Sequence, residues 1–348
     1  MCYNIDIMKK ILVLIIAIIL IPSILLTFAA CGDSFSKTSI MAQIDNNLGW
    51  HEGGTEILKY DVVKGDVKIG QYTSIMESLP SRNVEITTSS ESVKPTLNDF
   101  KGYKFSSEMT LDDNTFKKVT VSYASYRLEP KLSYTMTQEG GKTVEIVTSY
   151  ETKKSNVTFI VDGNVISDSA KYSASAFVVD NSFLYQFARA TTLSSALSIV
   201  VPTYSVESGK TQNTSFTCSY SSSTSVKLSN KFVLNQSYSQ SVTADGETTV
   251  DENTSGYAES ESDIITSEPD ENGNTTKTYK MTLTNSIPVV RCTFATTKTF
   301  PASGSISCMI ATSPMKAEGE KRFVNRVVVS FAEGDIRYNL TSVKYTTL

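Results

Sequence analysis

The chain of 348 residues has one histidine, one tryptophan and five cysteines. One histidine cannot build a usual zinc site, and no Cys-x-x-Cys pair stands in for it. A Ser-His-Asp triad would have to use His51, which lies among Gly49, Gly53 and Gly54, and no Gly-x-Ser-x-Gly elbow occurs to present a serine. Neither glycine-rich phosphate-loop signature is present, which removes the common nucleotide-binding loops. No basic block of five residues occurs, so nucleic acid is not an expected partner. The carboxylates that a glycoside-cleaving pair would need lie mostly in turns or in one acidic run. These absences predict a protein that is not an enzyme, with no catalytic residue, metal or cofactor to assign.

The amino end carries the most specific signal. Lys9 and Lys10 precede an unbroken apolar run from Ile11 to Ile21, and Phe28-Ala29-Ala30-Cys31 follows. A basic flank, an apolar core and small residues before a cut site describe a secretory signal, with Met8 as an alternative start to Met1. Cysteine after Ala29-Ala30 resembles the lipobox of bacterial lipoproteins, with Phe28 where Leu, Val or Ile is usual. The resemblance implies a signal peptide at 1–30 and acyl chains on Cys31, each buried methylene adding roughly 0.8 kcal/mol of membrane affinity. The chain would then be lipid-anchored and face the extracytoplasmic side. The other reading is an uncleaved anchor, because Ile11 to Ala30 is about long enough to span a bilayer. Residues 31–48 read as a polar tether. Cleavage before Cys31 removes Lys9, Lys10 and Asp6, which leaves 30 basic and 35 acidic residues. Cys218, Cys292 and Cys308 are expected as buried small hydrophobes.

Beyond the tether, two-residue alternation dominates. Strands are predicted at 56–63 and from Val67, around a Lys64-Gly65-Asp66 turn. Lys118 to Tyr123, Leu132 to Thr137, Val144 to Tyr150 and Val157 to Val161 continue an antiparallel meander, with Glu139-Gly-Gly-Lys as one hairpin turn. One segment differs. Asp180-Asn181-Ser182 is a cap set, and Phe183, Leu184, Phe187 and Ala188 fall at helical spacing, predicting a helix at 182–191. A strand at 197–201 should close at Pro202. Residues 205–276 read as a polar insertion, apart from a strand at 226–234. From Asp245 to Glu271 it holds ten carboxylates, with Asn272-Gly273 as its turn. Strands resume at 278–284, 289–299, 305–312, 326–332 and 336–344. A loop at Pro301–Gly304 would set Cys308 opposite residue 297, so no Cys292–Cys308 disulfide is expected.

Gly54, Leu58, Tyr60, Val62, Gly65 and Gly70 resemble the opening motif of a bacterial unknown-function family whose fold is like the lipoprotein carriers LolA and LolB. Leu128-Glu-Pro-Lys-Leu-Ser, the Val179 to Ala190 segment and Ile336-Arg-Tyr-Asn-Leu resemble three later motifs in the same order. The resemblance spans most of residues 49–345, with the acidic segment as an apparent insertion, and implies a mainly β (α+β) domain at 49–348. That domain would be a curved antiparallel sheet or half-open β-barrel, with a short helix packed on its concave face. Trp50, Tyr60, Tyr72, Phe183, Phe187 and Arg189 are then candidate cavity-lining residues, Arg189 either as an anion contact at the mouth or as a structural residue bonded to strand-end carbonyls or a carboxylate. The expected function is to bind a lipid or other hydrophobic ligand in that cavity. The alternative is a structural or adhesive envelope protein, with the polar insertion touching a protein or wall polymer.

Overall fold

The computed structural model describes residues 50, 54–151, 154–166, 170–173, 177–178, 181–190, 198–205, 210–248, 251–296 and 305–347. The expectations for the signal peptide, Cys31, the tether, His51 and the Pro301–Gly304 loop lie outside the described residues, as do the side chains of Phe187 and Cys218.

The first half is a meander of β1 (Gly54–Lys64), β2 (Val67–Glu85), β3 (Thr96–Leu111), β4 (Phe116–Ala124), β5 (Pro130–Glu139), β6 (Lys142–Tyr150) and β7 (Lys154–Val161). Short strands β8 (Asn164–Val165), β9 (Ala170–Ser173) and β10 (Phe177–Val178) lead to helix α1 (Asn181–Ala190). Then come β11 (Ser198–Ser205), β12 (Lys210–Leu234), β13 (Tyr238–Val242), β14 (Thr254–Tyr257), β15 (Ile264–Thr266) and β16 (Thr275–Tyr279). The chain ends with β17 (Met281–Thr296), β18 (Ser305–Ala311), β19 (Met315–Lys316), β20 (Phe323–Val324), β21 (Val328–Glu333) and β22 (Ile336–Thr347).

One large sheet runs in the order β7-β6-β5-β4-β3-β2-β1-β22-β21-β18-β17-β12-β11-β10. Its pairings are antiparallel except β10 with β11, and it does not close into a barrel. It is the expected mainly β, half-open architecture with one short helix. The turns follow residue chemistry. Gly65, Gly140, Gly141 and Gly334 all take positive φ where β1–β2, β5–β6 and β21–β22 reverse. Gly54 is required for another reason: a Cβ there would overlap the phenol oxygen of Tyr345 on β22.

Alternation assigns the faces. In β1, Glu56, Leu58, Tyr60 and Val62 are buried in one row. That row points to the concave side, where α1 lies. A helix of ten residues is marginal alone, so packing holds it: Phe183, Leu184, Tyr185, Gln186, Ala188, Arg189 and Ala190 are all buried. Farther round the curve, Val200 and Tyr204 of β11 pack over Val157 and Phe159 of β7, narrowing the gap that hydrogen bonds leave open. The other face carries a second core, in which Leu79, Phe100, Tyr123, Leu132, Val147 and Ile160 lie under Ile86 and Val93. Glu145 pins that covering segment, accepting from the Ser89 amide at 3.0 Å and from Tyr134 Oη at 2.6 Å.

Three local expectations are corrected. The segment expected as insertion from 205 begins with β12, a 25-residue strand of the main sheet paired with β11 and β17. Only β13, β15 and β16 form a separate small sheet. Ser and Thr, which make β12 look like loop, are compatible with a half-buried pleated surface. β11 runs through Pro202 to Ser205, with Pro202 opposite Asn213 of β12; among the described residues, β10 pairs with β11 at Ile199 and Val200. Finally, Cys308 faces Cys292, not residue 297. Along β17 and β18 the paired residue numbers sum to 600 rather than 605, from Val289 opposite Ala311 to Ala295 opposite Ser305.

Candidate functional site

The concave interior has two dissimilar ends. At the Gly54 end, Glu56 and Arg189 form an ion pair with side chains 1% and 0% exposed. Arg189 Nη1 donates to Glu56 Oε1 at 2.5 Å and Nη2 to Oε2 at 3.0 Å. The other guanidinium hydrogens go to Gln186 Oε1 (3.1 Å), Arg326 O (2.8 Å) and Asn325 O (3.1 Å). All five donors of the fork are thereby used. Trp50 covers the pair: its Nε1 donates to Glu56 Oε2 at 3.3 Å, and its ring lies 5.2 Å from the guanidinium carbon. Tyr103 and Phe105 pack against the indole at 5.5 and 5.6 Å. Arg326 returns the contact, its side chain donating to the Arg189 and Ala188 carbonyls that end α1. Arg189 is therefore not an anion contact at a cavity mouth. Full burial required a carboxylate partner, and Glu56, in the inward row of β1, supplies it.

The opposite end is open. The β3–β4, β5–β6 and β21–β22 turns rim a cavity of about 390 Å³. Its inner wall is aromatic: Tyr72, Tyr185, Phe331 and Tyr338. Phe331 stacks on Tyr338 at 4.0 Å and lies 4.2 Å from Tyr185, while Tyr72 meets Phe331 edge-on at 5.3 Å. Met109, Leu111 and Phe116 extend the apolar lining, and Ser107 and Thr120 pair their hydroxyls at 2.6 Å on the β3–β4 wall. Three charged side chains reach the cavity: Lys118, Glu139 and Glu333. Tyr185 Oη donates to Glu333. Burial, then the nearby Glu333 charge, pushes the Tyr185 and Tyr338 phenols far above their ordinary range, so both remain neutral donors.

Of the expected lining residues, Tyr72 lines this cavity. Tyr60, its cross-strand partner, stands one ring behind, 5.5 Å from Tyr72, with Oη donating to Val328 O at 2.8 Å. Phe183 is buried against Phe105 at 5.8 Å. Trp50 and Arg189 occupy the closed end. Tyr185, Phe331, Tyr338 and Glu333 complete the site. For Tyr338 a signal was available: Ile336, Tyr338 and Leu340 alternate in step along β22. No family model matches this chain, and no curated protein or solved structure matches it.

Proposed function

We propose that the chain is a non-catalytic binding protein, tethered to a membrane through Cys31, that takes a small hydrophobic or lipid-like ligand at the open end of the half-barrel. The cavity carries the reading: about 390 Å³ lies within the usual range for ligand sites, and the lining is mostly apolar with a few polar groups, as such sites require. The LolA-like order of motifs supports it. So does the division of the interior, because the Trp50 end holds the curvature while the other end is left unfilled.

A neutral fluorescent probe such as N-phenylnaphthylamine should bind the full chain saturably, at about one per chain. Ser107→Phe, which drives a ring into the cavity from β3, should abolish uptake while the circular dichroism of the sheet is retained. Equal uptake by both proteins would remove the reading. Cys31→Ala should move the chain from the membrane to the soluble fraction; unchanged retention would favour the uncleaved anchor.

A further inference from the structure

The cavity contains one charge that is held in place. Glu333 is half-buried at the end of β21 and fixed by the Tyr185 phenol, and among the described residues no cation is ion-paired with it. Glu139 is exposed at the β5–β6 turn. Lys118 has the opposite sign, but its long stem lets the ammonium reach water while the methylenes line the wall. The neighbours of Glu333 are electron-rich rings. Tyr185 and Tyr338 both lie close enough to feel its charge, and Phe331 and Tyr72 complete the wall. An anionic head group would have to approach Glu333 with half-buried Lys118, on its flexible stem, as the one cation among the described lining residues. A cation would gain the carboxylate beside a wall of electron-rich rings, the two features that favour quaternary ammonium groups.

We propose that the open cavity selects an amphiphile with a cationic, ammonium-type head group, seated against Tyr185, Tyr338 and Glu333 with its apolar part on Met109, Leu111 and Phe116. This rests on the cavity-binding reading above and gives the ligand's charge.

The test is calorimetric titration of the full chain in neutral maltoside micelles, with empty micelles as the blank. Three probes share one chain length: hexyltrimethylammonium, hexanol and hexanoate. The cation should bind roughly tenfold more tightly than hexanol, the scale of a partly desolvated cation–ring contact, and hexanoate more weakly than either. Glu333→Gln, which keeps an acceptor for Tyr185, should bring the cation to the level of hexanol without lowering the melting temperature. Hexanoate binding best and lost in Lys118→Gln would overturn the proposal, as would a cation preference that survives Glu333→Gln. Either result leaves the cavity-binding reading standing. Failure of all three probes to bind would remove both.

Discussion

Replacing Glu56 with Gln tests whether the closed end is held by charge or by shape. Both partners are buried, and the Glu56 carboxylate accepts two bonds from Arg189 and one from Trp50. Gln keeps the volume and one acceptor, but leaves a buried guanidinium with only neutral oxygens. Removing one partner of such a pair costs about 3–5 kcal/mol. Because Gln186, Asn325 and Arg326 still solvate three of the five donors, the lower end applies, about 3 kcal/mol. Arg189→Met should cost more, about 4 kcal/mol, since the carboxylate is then left with the indole N–H alone. The pair Glu56→Gln with Arg189→Met removes both charges. It should cost at least about 2 kcal/mol less than the two single losses together, because contacting groups couple on that scale. Urea unfolding followed by circular dichroism gives the energies, with an unchanged slope confirming that the unfolded reference is the same. Trp50 fluorescence, from the chain's one tryptophan, reports this end directly. Additivity within about 0.5 kcal/mol would refute the reasoning, leaving Trp50 and Phe105 packing as what holds this end.

Other outcomes follow from the same structure. Burial pushes the Tyr103 phenol up to about 12 and Tyr60 and Tyr185 well above the ordinary 10. The folded state thus keeps protons that the unfolded chain releases above pH 10, so this stability is complete below about pH 10 and drains as pH rises toward 12. Phenolate absorbance should show these buried tyrosines ionising only with loss of the sheet signal; their ionisation near pH 10 in the folded protein would contradict this. Gly54→Ala should cost about 1–3 kcal/mol through overlap with Tyr345. Tyr345→Phe should be close to neutral, because among the described residues that buried hydroxyl has no hydrogen-bond partner; melting curves compare the two. Since Cys292 and Cys308 are opposed across β17–β18, oxidation with diamide during refolding should join these two in peptide mapping. Exclusive linkage through Cys218 would contradict the register.

Much of the fold was legible because the meander obeys local rules. Gly65, the Gly140-Gly141 pair and Gly334 announced their turns, and β1 alternates cleanly along its length, as does β22 as far as Leu340. Legibility failed where strands lose step. β3 has no clean two-residue period, because Gly102 at φ 157 and the shifts of register opposite Leu79 and Arg82 reset which side faces in. β12 is bent by shifts after Ser221 and Lys227, and its Ser-rich stretch offers no apolar row to follow. The β17–β18 register differs from the expected one for a simpler reason: the expected register rests on an assumed loop centre, and every pair shifts with that centre.

The site was half legible, and the cause lies in which positions reveal a face. Glu56 shares parity with Leu58, Tyr60 and Val62, so β1 alone places a carboxylate on the core side. A buried carboxylate demands a cation, and Arg189 is the one basic residue in α1; the pair follows from those two facts. The open end offers no comparable constraint. Tyr185 lies off the helix face that Phe183, Leu184, Phe187 and Ala188 define, and is buried only because the sheet wraps α1 on more than one side. Glu333 is one residue before a hairpin glycine, where an acid ordinarily meets water; here the β3–β4 and β5–β6 turns curve over the same space and give it walls. An ion pair is fixed by two residues and a parity. A cavity is fixed by what three distant turns leave empty, and no stretch of sequence encodes that space on its own.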